Sequence, residues 1–293
     1  MKNLACSLLV FSILFATPCI AAAQEKSAPP KVLVIAREFL KPGRSGSLHE
    51  KAESSFVQAM SGAKWPTHYL ALTSLSGKSR ALFFTFYDSF DAWEKDAAAT
   101  EKNATFNAAL DRAAIADGDL LDTTDQSVWV YRDEFSLRPL YGDLPHRRAL
   151  EILDFHVRPG HAREWSELVK KVVAGYQKGV PDAHWACFEN VYGGAGGTYI
   201  FLTARKSASE IDTSFQQDKQ FSSVMGEDGL KRVEELEAAS VESSEAQLFL
   251  FSPKMSYVSD EWIAADPDFW KPKTAATAAD KPATNTKKSK TSQ

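Results

Sequence analysis

The chain is short of cysteine. Of its 293 residues only Cys6, Cys19 and Cys187 are cysteines. Two of them lie in an N-terminal stretch that reads as a removable leader. Cys187 then stands alone, so no internal disulfide can staple the fold, and stability has to come from a hydrophobic core. The chain also lacks a basic surplus, its formal charge being −4. An acidic balance argues against a nucleic-acid surface, which needs clustered Lys and Arg to neutralise phosphates. No apolar run after residue 23 reaches membrane-spanning length, so no transmembrane segment is expected. Gly-x-Ser-x-Gly, His-Glu-x-x-His and the dinucleotide fingerprint are all missing from the sequence, which removes the commonest hydrolase, zinc-protease and nucleotide-binding readings.

The ends differ from the body. Met1-Lys2-Asn3 is a short positive start, residues 4–15 are apolar, and Ala21-Ala22-Ala23 supplies small residues. This pattern is that of a secretory signal peptide cleaved after Ala23. The expected location is therefore periplasmic or secreted. Residues 24–31 are a polar linker. Residues 271–293 hold Lys271, Lys273, Lys281, Lys287, Lys288 and Lys290 among Ala and Thr, a composition without a core. Such a tail is a solvated end, or makes weak contact with an anionic envelope surface.

The body contains one pattern twice. Residues 32–40 and 150–157 are apolar runs that read as strands. Each ends near a basic residue followed by Pro-Gly (Pro42-Gly43 and Pro159-Gly160), with the two glycines 117 positions apart. After the first run, Leu48, Ala52, Phe56 and Met60 recur at spacing four and define a helix with an apolar stripe. Strands are expected at 67–75 and 79–87 around a Ser76-Gly77-Lys78 turn, then helical segments from Ser89 and over 104–116, then a strand at 127–135. Counted from the first run, the order is β-α-β-β-α-β. Residues 139–147, rich in Pro and Gly, read as a linker. The second unit repeats the order: strand 150–157, helix 161–177 with Trp165, Val169, Val172 and Tyr176 on one stripe, strands 184–192 and 198–204, helices broken near Gly226, and strand 246–251. Several elements in one order at a nearly constant shift make an internal duplication. The units are bounded at 32–138 and 148–258. Residues 259–270 form an aromatic extension expected to pack on the body.

This order is the ferredoxin-like arrangement. Two such units in tandem resemble the dimeric α+β barrel superfamily, to which antibiotic-biosynthesis-type monooxygenases and NIPSNAP-like proteins belong. The fold class expected is α+β, with two tandem ferredoxin-like units forming the barrel within one chain. The resemblance implies two sheets facing each other with helices outside, and cavities that bind small, often aromatic molecules. It also implies a cofactor-independent oxygenase-type activity. No residue matches the haem histidine or distal arginine of the haem-degrading and chlorite-dismutase-like relatives, so no cofactor is expected.

Strand alternation puts Leu33, Ile35, Arg37 and Phe39 on one face, matched by Leu150, Ile152, Asp154 and His156. Arg37 and Asp154 then line a hollow between the sheets as a ligand-binding pair, or form a structural ion pair. His156 is a candidate base. Tyr69, Trp129, Tyr131 and Trp185 either stack on a ligand or pack in the core. His68 matches His184, but without further ligands at suitable spacing no metal site is read, and no carboxylate–histidine cluster. Cys187, mid-strand, reads as an inert buried thiol. The expectation is an exported protein that holds a small organic molecule between two ferredoxin-like sheets, self-association being open. The rival is a non-catalytic interaction or structural module of the envelope.

Overall fold

The computed structural model describes residues 29–271; the expected signal peptide and most of the lysine tail lie outside the described residues. Eight strands form one closed antiparallel barrel. They are β1 (Val32–Leu40), β2 (Tyr69–Ser74), β3 (Arg80–Tyr87), β4 (Leu121–Tyr131), β5 (Ala149–Val157), β6 (Ala186–Tyr192), β7 (Thr198–Arg205) and β8 (Val241–Phe251). Around the barrel the order is β1-β3-β2-β8-β5-β7-β6-β4. Within residues 32–131 the strands lie 4-1-3-2, and within 149–251 they lie 8-5-7-6. The two sets join where β2 pairs with β8 and where β4 pairs with β6.

Both faces of each central strand are buried, so their sequences read as continuous apolar runs. Val32, Leu33, Val34 and Ile35 are all buried. The inner face takes the odd residues of β1, and Leu33, Leu72, Phe84, Phe188 and Phe249 are wholly enclosed there. An eight-stranded barrel has a lumen just wide enough for side chains to fill. It is filled here, which overturns the expected hollow between the sheets. What remains is an apolar void of about 50 Å³ at one end, touched by Leu70, Phe84, Phe188 and Phe251.

The aromatic extension covers part of that end. After β8 come α6 (Asp260–Ala265) and α7 (Pro267–Trp270). Trp270 is buried in the barrel core, with Trp262 and Phe269 against it, and its indole N–H donates to Pro145 O at 2.7 Å. The expected linker thus carries a 3-10 turn, Tyr141–His146, that forms part of this cover.

The opposite end is polar. Arg37 donates to Asp125 at 2.5 Å. The buried Arg80 lies over the rings of Phe39 and Phe249, 5.8 and 5.3 Å from their centroids, and donates to Gln247. The first sheet is covered outside by α1 (Ser47–Ala63) and α3 (Ala104–Gly118), with α2 (Phe90–Lys102) beside them. The second is covered by α4 (Ala162–Gly179) and α5 (Glu210–Ser240), which is broken at Gly226, where φ is 65°. The described helices include none long and apolar enough to cross a membrane.

Candidate functional site

Two places between sheet and helices stand out, one in each half. In the first half, the apolar stripe expected of α1 is only half-buried at Ala52, Phe56 and Met60. Leu48 is 48% exposed, and the fully buried residues of α1 are His49 and Glu53. Spaced four apart, they share one helix face. Glu38 from the outer face of β1 and Asp117 from the last turn of α3 meet them. His49 Nε2 lies 3.0 Å from Glu38 Oε2, 3.5 Å from Asp117 Oδ1 and 3.9 Å from Glu53 Oε1. One ligand-type atom from each of the four falls within 4.8 Å of the others.

Three carboxyl groups cannot all ionise cheaply around one imidazole. Burial, then the charges of Glu38 and Asp117, push the Glu53 carboxyl up to about 10. Burial and Glu38 push Asp117 up to about 6, with His49 opposing. Glu53 Oε1 and Asp117 Oδ1 are buried without hydrogen-bond partners. So is the hydroxyl of neighbouring Tyr69, whose pKa is raised by burial and then by Glu53 and Glu38.

In the second half the same side of the sheet carries a groove of about 830 Å³. Its apolar floor is Leu153, Phe155 and Phe201 from β5 and β7, with Trp165 and Val169 from α4. Trp165 packs against Phe155 and Tyr199 at 5.3 and 5.1 Å between ring centroids. The rim is ionic but internally paired, Arg205 with Glu151 and Arg147 with Asp143 and Glu210. Such a groove accommodates a flat apolar molecule and offers no nucleophile–base pair.

The residues singled out from sequence mostly lie elsewhere. Arg37, Asp154 and His156 are together at the polar end of the barrel and line neither the void nor the groove. Burial raises the Asp154 carboxyl, opposed by Arg37. His156 contacts Thr198 at 3.2 Å and Glu242 at 3.3 Å. Trp129 and Tyr131 pack in or against the core, and the Trp129 indole donates to Ser127. Trp185 borders the groove and donates to Phe135 O. Tyr69 stands beside the His49 cluster. His68 stacks on Tyr257, 4.8 Å between centroids, and the two ring nitrogens of His184 face the carbonyl oxygens of Asp182 and Ala204. Cys187 is buried and its thiol is pushed up by burial. The absence of a carboxylate–histidine cluster, as read from the sequence, is corrected by Glu38, His49, Glu53 and Asp117. The local signal was His49-x-x-x-Glu53 on a helix; Glu38 and Asp117 join only through the fold.

No protein-family model and no curated protein sequence matches the chain. Several solved structures are alike in outline. An anthrone oxidase-like protein aligns at TM-score 0.48 and 11% identity, over 78% of this chain and 94% of its own. A candidate monooxygenase from Lactobacillus acidophilus NCFM aligns at 0.47 and 9%, over 78% and 100%. A mutant chlorite dismutase from Candidatus Nitrospira defluvii in complex with cyanide aligns at 0.43 and 8%, over 76% and 92%. Likeness at this level bears on no reaction, ligand or cofactor. The chain is a mixed α+β protein with a closed eight-stranded antiparallel barrel.

Proposed function

We propose that this is a small-molecule-binding barrel made of two tandem ferredoxin-like units, residues 32–138 and 148–258, which takes an aromatic or apolar organic ligand in the groove beneath α4 and α5. The duplication is supported by matching detail. β1 and β5 have 9 residues each, β3 and β7 have 8, and β4 and β8 have 11. The register slips between Phe39 and Leu40 in the first half and between His156 and Val157 in the second. Both positions differ by the 117 residues that separate the two Pro-Gly turns.

The ligand reading is carried by the groove itself, about 830 Å³ with an aromatic floor, the size and lining of small-molecule sites. The test uses anilinonaphthalene sulfonate as probe. Wild type should bind it with enhanced fluorescence, and Val172→Trp, which fills the groove from α4, should weaken binding at least about tenfold, a loss of roughly 1.4 kcal/mol. No fluorescence in wild type, or unchanged affinity in the variant, contradicts the reading. The oxygenase-type activity implied by the resemblance is tested by oxygen uptake on an electron-rich hydroxyaromatic compound. Export is tested by the mass of the protein recovered from its producing cell, expected to begin at Gln24.

A further inference from the structure

We propose that Glu38, His49, Glu53 and Asp117 form a binding site for one first-row divalent transition-metal ion. This site is in the other half of the molecule from the groove and does not depend on that reading.

The geometry comes first. Bonds of about 2.1 Å to one octahedral ion place neighbouring donors about 3.0 Å apart and opposite donors about 4.2 Å apart. The carboxylate oxygens stand 3.0, 3.5 and 3.9 Å from His49 Nε2, within that span. The donors come from three elements, β1, α1 and α3, so the site exists only in the folded barrel.

The unmatched atoms are the second observation. Glu53 and Asp117 have side chains only 3% and 2% exposed, and each holds a buried oxygen with no hydrogen-bond partner. A buried polar atom left in that condition is costly. Among the described residues no Lys or Arg pairs with Glu38, Glu53 or Asp117; their only ionic neighbour is His49. With the imidazole neutral and the three carboxylates ionised, as ligation requires, the four groups carry three negative charges. A divalent ion offsets two of them and takes up the unmatched oxygens.

The donor set selects the ion class. One imidazole nitrogen and three carboxylate oxygens, with no thiolate, suit ions of the Mn²⁺, Fe²⁺ and Zn²⁺ kind. An all-oxygen shell would have favoured Ca²⁺ or Mg²⁺. The Tyr69 hydroxyl is a further buried polar atom without a hydrogen-bond partner. Among the described residues the second half holds no such group; Phe155, Ser166 and Lys170 stand 117 positions on from Glu38, His49 and Glu53.

The experiment uses the full chain, stripped with chelator, desalted and titrated separately with Mn²⁺, Co²⁺ and Zn²⁺. Wild type should retain about one ion per chain after desalting and gain about 5 °C or more in Tm at saturation. Bound Co²⁺ should show visible d–d bands without a thiolate charge-transfer band. Glu53→Gln copies the protonated carboxyl, so the metal-free variant should fold as well as wild type yet bind the ion at least about 100-fold more weakly. Asp117→Asn should do the same, and Glu38→Gln, at a half-buried position, provides a third variant should either fail to fold. Retention below about 0.1 ion per chain with an unmoved Tm overturns the proposal and leaves a proton-sharing cluster. Undiminished binding in the folded variants overturns it too, placing the ion elsewhere.

Discussion

Glu38 and Phe155 hold the same place in their strands. Each immediately precedes the residue at which the register slips, Phe39 in β1 and His156 in β5. Each faces outward, under helices. One brings a carboxylate to a buried polar cluster, the other a ring to the floor of an apolar groove. The two halves thus present chemically different environments at corresponding strand positions.

The packed lumen has a direct consequence. Phe249 is wholly enclosed and lies beneath the Arg80 guanidinium. Replacing it with alanine opens a cavity that rigid strands cannot close. Phe249→Ala should cost about 3–5 kcal/mol in urea unfolding. A loss under about 1 kcal/mol would mean that the lumen is not the core of the protein.

The groove depends on how α4 and α5 approach each other. A Cβ added to Gly179 would come within 2.2 Å of Val224 Cγ2, and valine is stiff about χ1. In an isolated helix glycine-to-alanine gains up to about 1 kcal/mol. Here the clash should reverse the sign, so Gly179→Ala should lose about 1–3 kcal/mol and alter probe binding in the groove. A stabilised variant with unchanged binding would show that the helices are not in contact there.

Asp154 gives a pH dependence with a definite sign. Its folded pKa is raised by burial, with Glu245 adding to that and Arg37 and His156 opposing. The native state therefore holds its proton more tightly than the unfolded chain does. The associated stability is full below the ordinary aspartate range near pH 4 and is lost as pH rises through the folded pKa. Asp154→Asn removes that loss. The difference in Tm between the variant and wild type should grow in the variant's favour from pH 4 to pH 7. A difference independent of pH would show that Asp154 is as well solvated folded as unfolded.

Much of the barrel was legible in the sequence, because apolar alternation and punctuation by Gly and Pro dictated it. The β-α-β-β-α-β order stands, as does the break at Gly226. The strands β4 and β8 begin earlier than their apolar residues suggest, at Leu121 and Val241. Their first halves, with Asp122, Thr123, Glu242 and Ser243, are polar and exposed, and only pairing with β1 and β5 makes them strands. Apolar periodicity failed on α1 for a related reason. A helix that buries His49 and Glu53 cannot be oriented by its hydrophobic residues, and nothing local announces that Glu38 and Asp117 will meet them. The lumen was misjudged because strand alternation shows which residues face inward but not whether they fill the space.

That Glu38, His49, Glu53 and Asp117 hold a metal ion beneath the helices is tested most directly by anomalous diffraction from crystals grown with Co²⁺. The account predicts one strong peak about 2.0–2.3 Å from His49 Nε2 and from an oxygen each of Glu38, Glu53 and Asp117. No peak there, or one beside Arg37 and Asp154 at the polar end of the lumen, would contradict it.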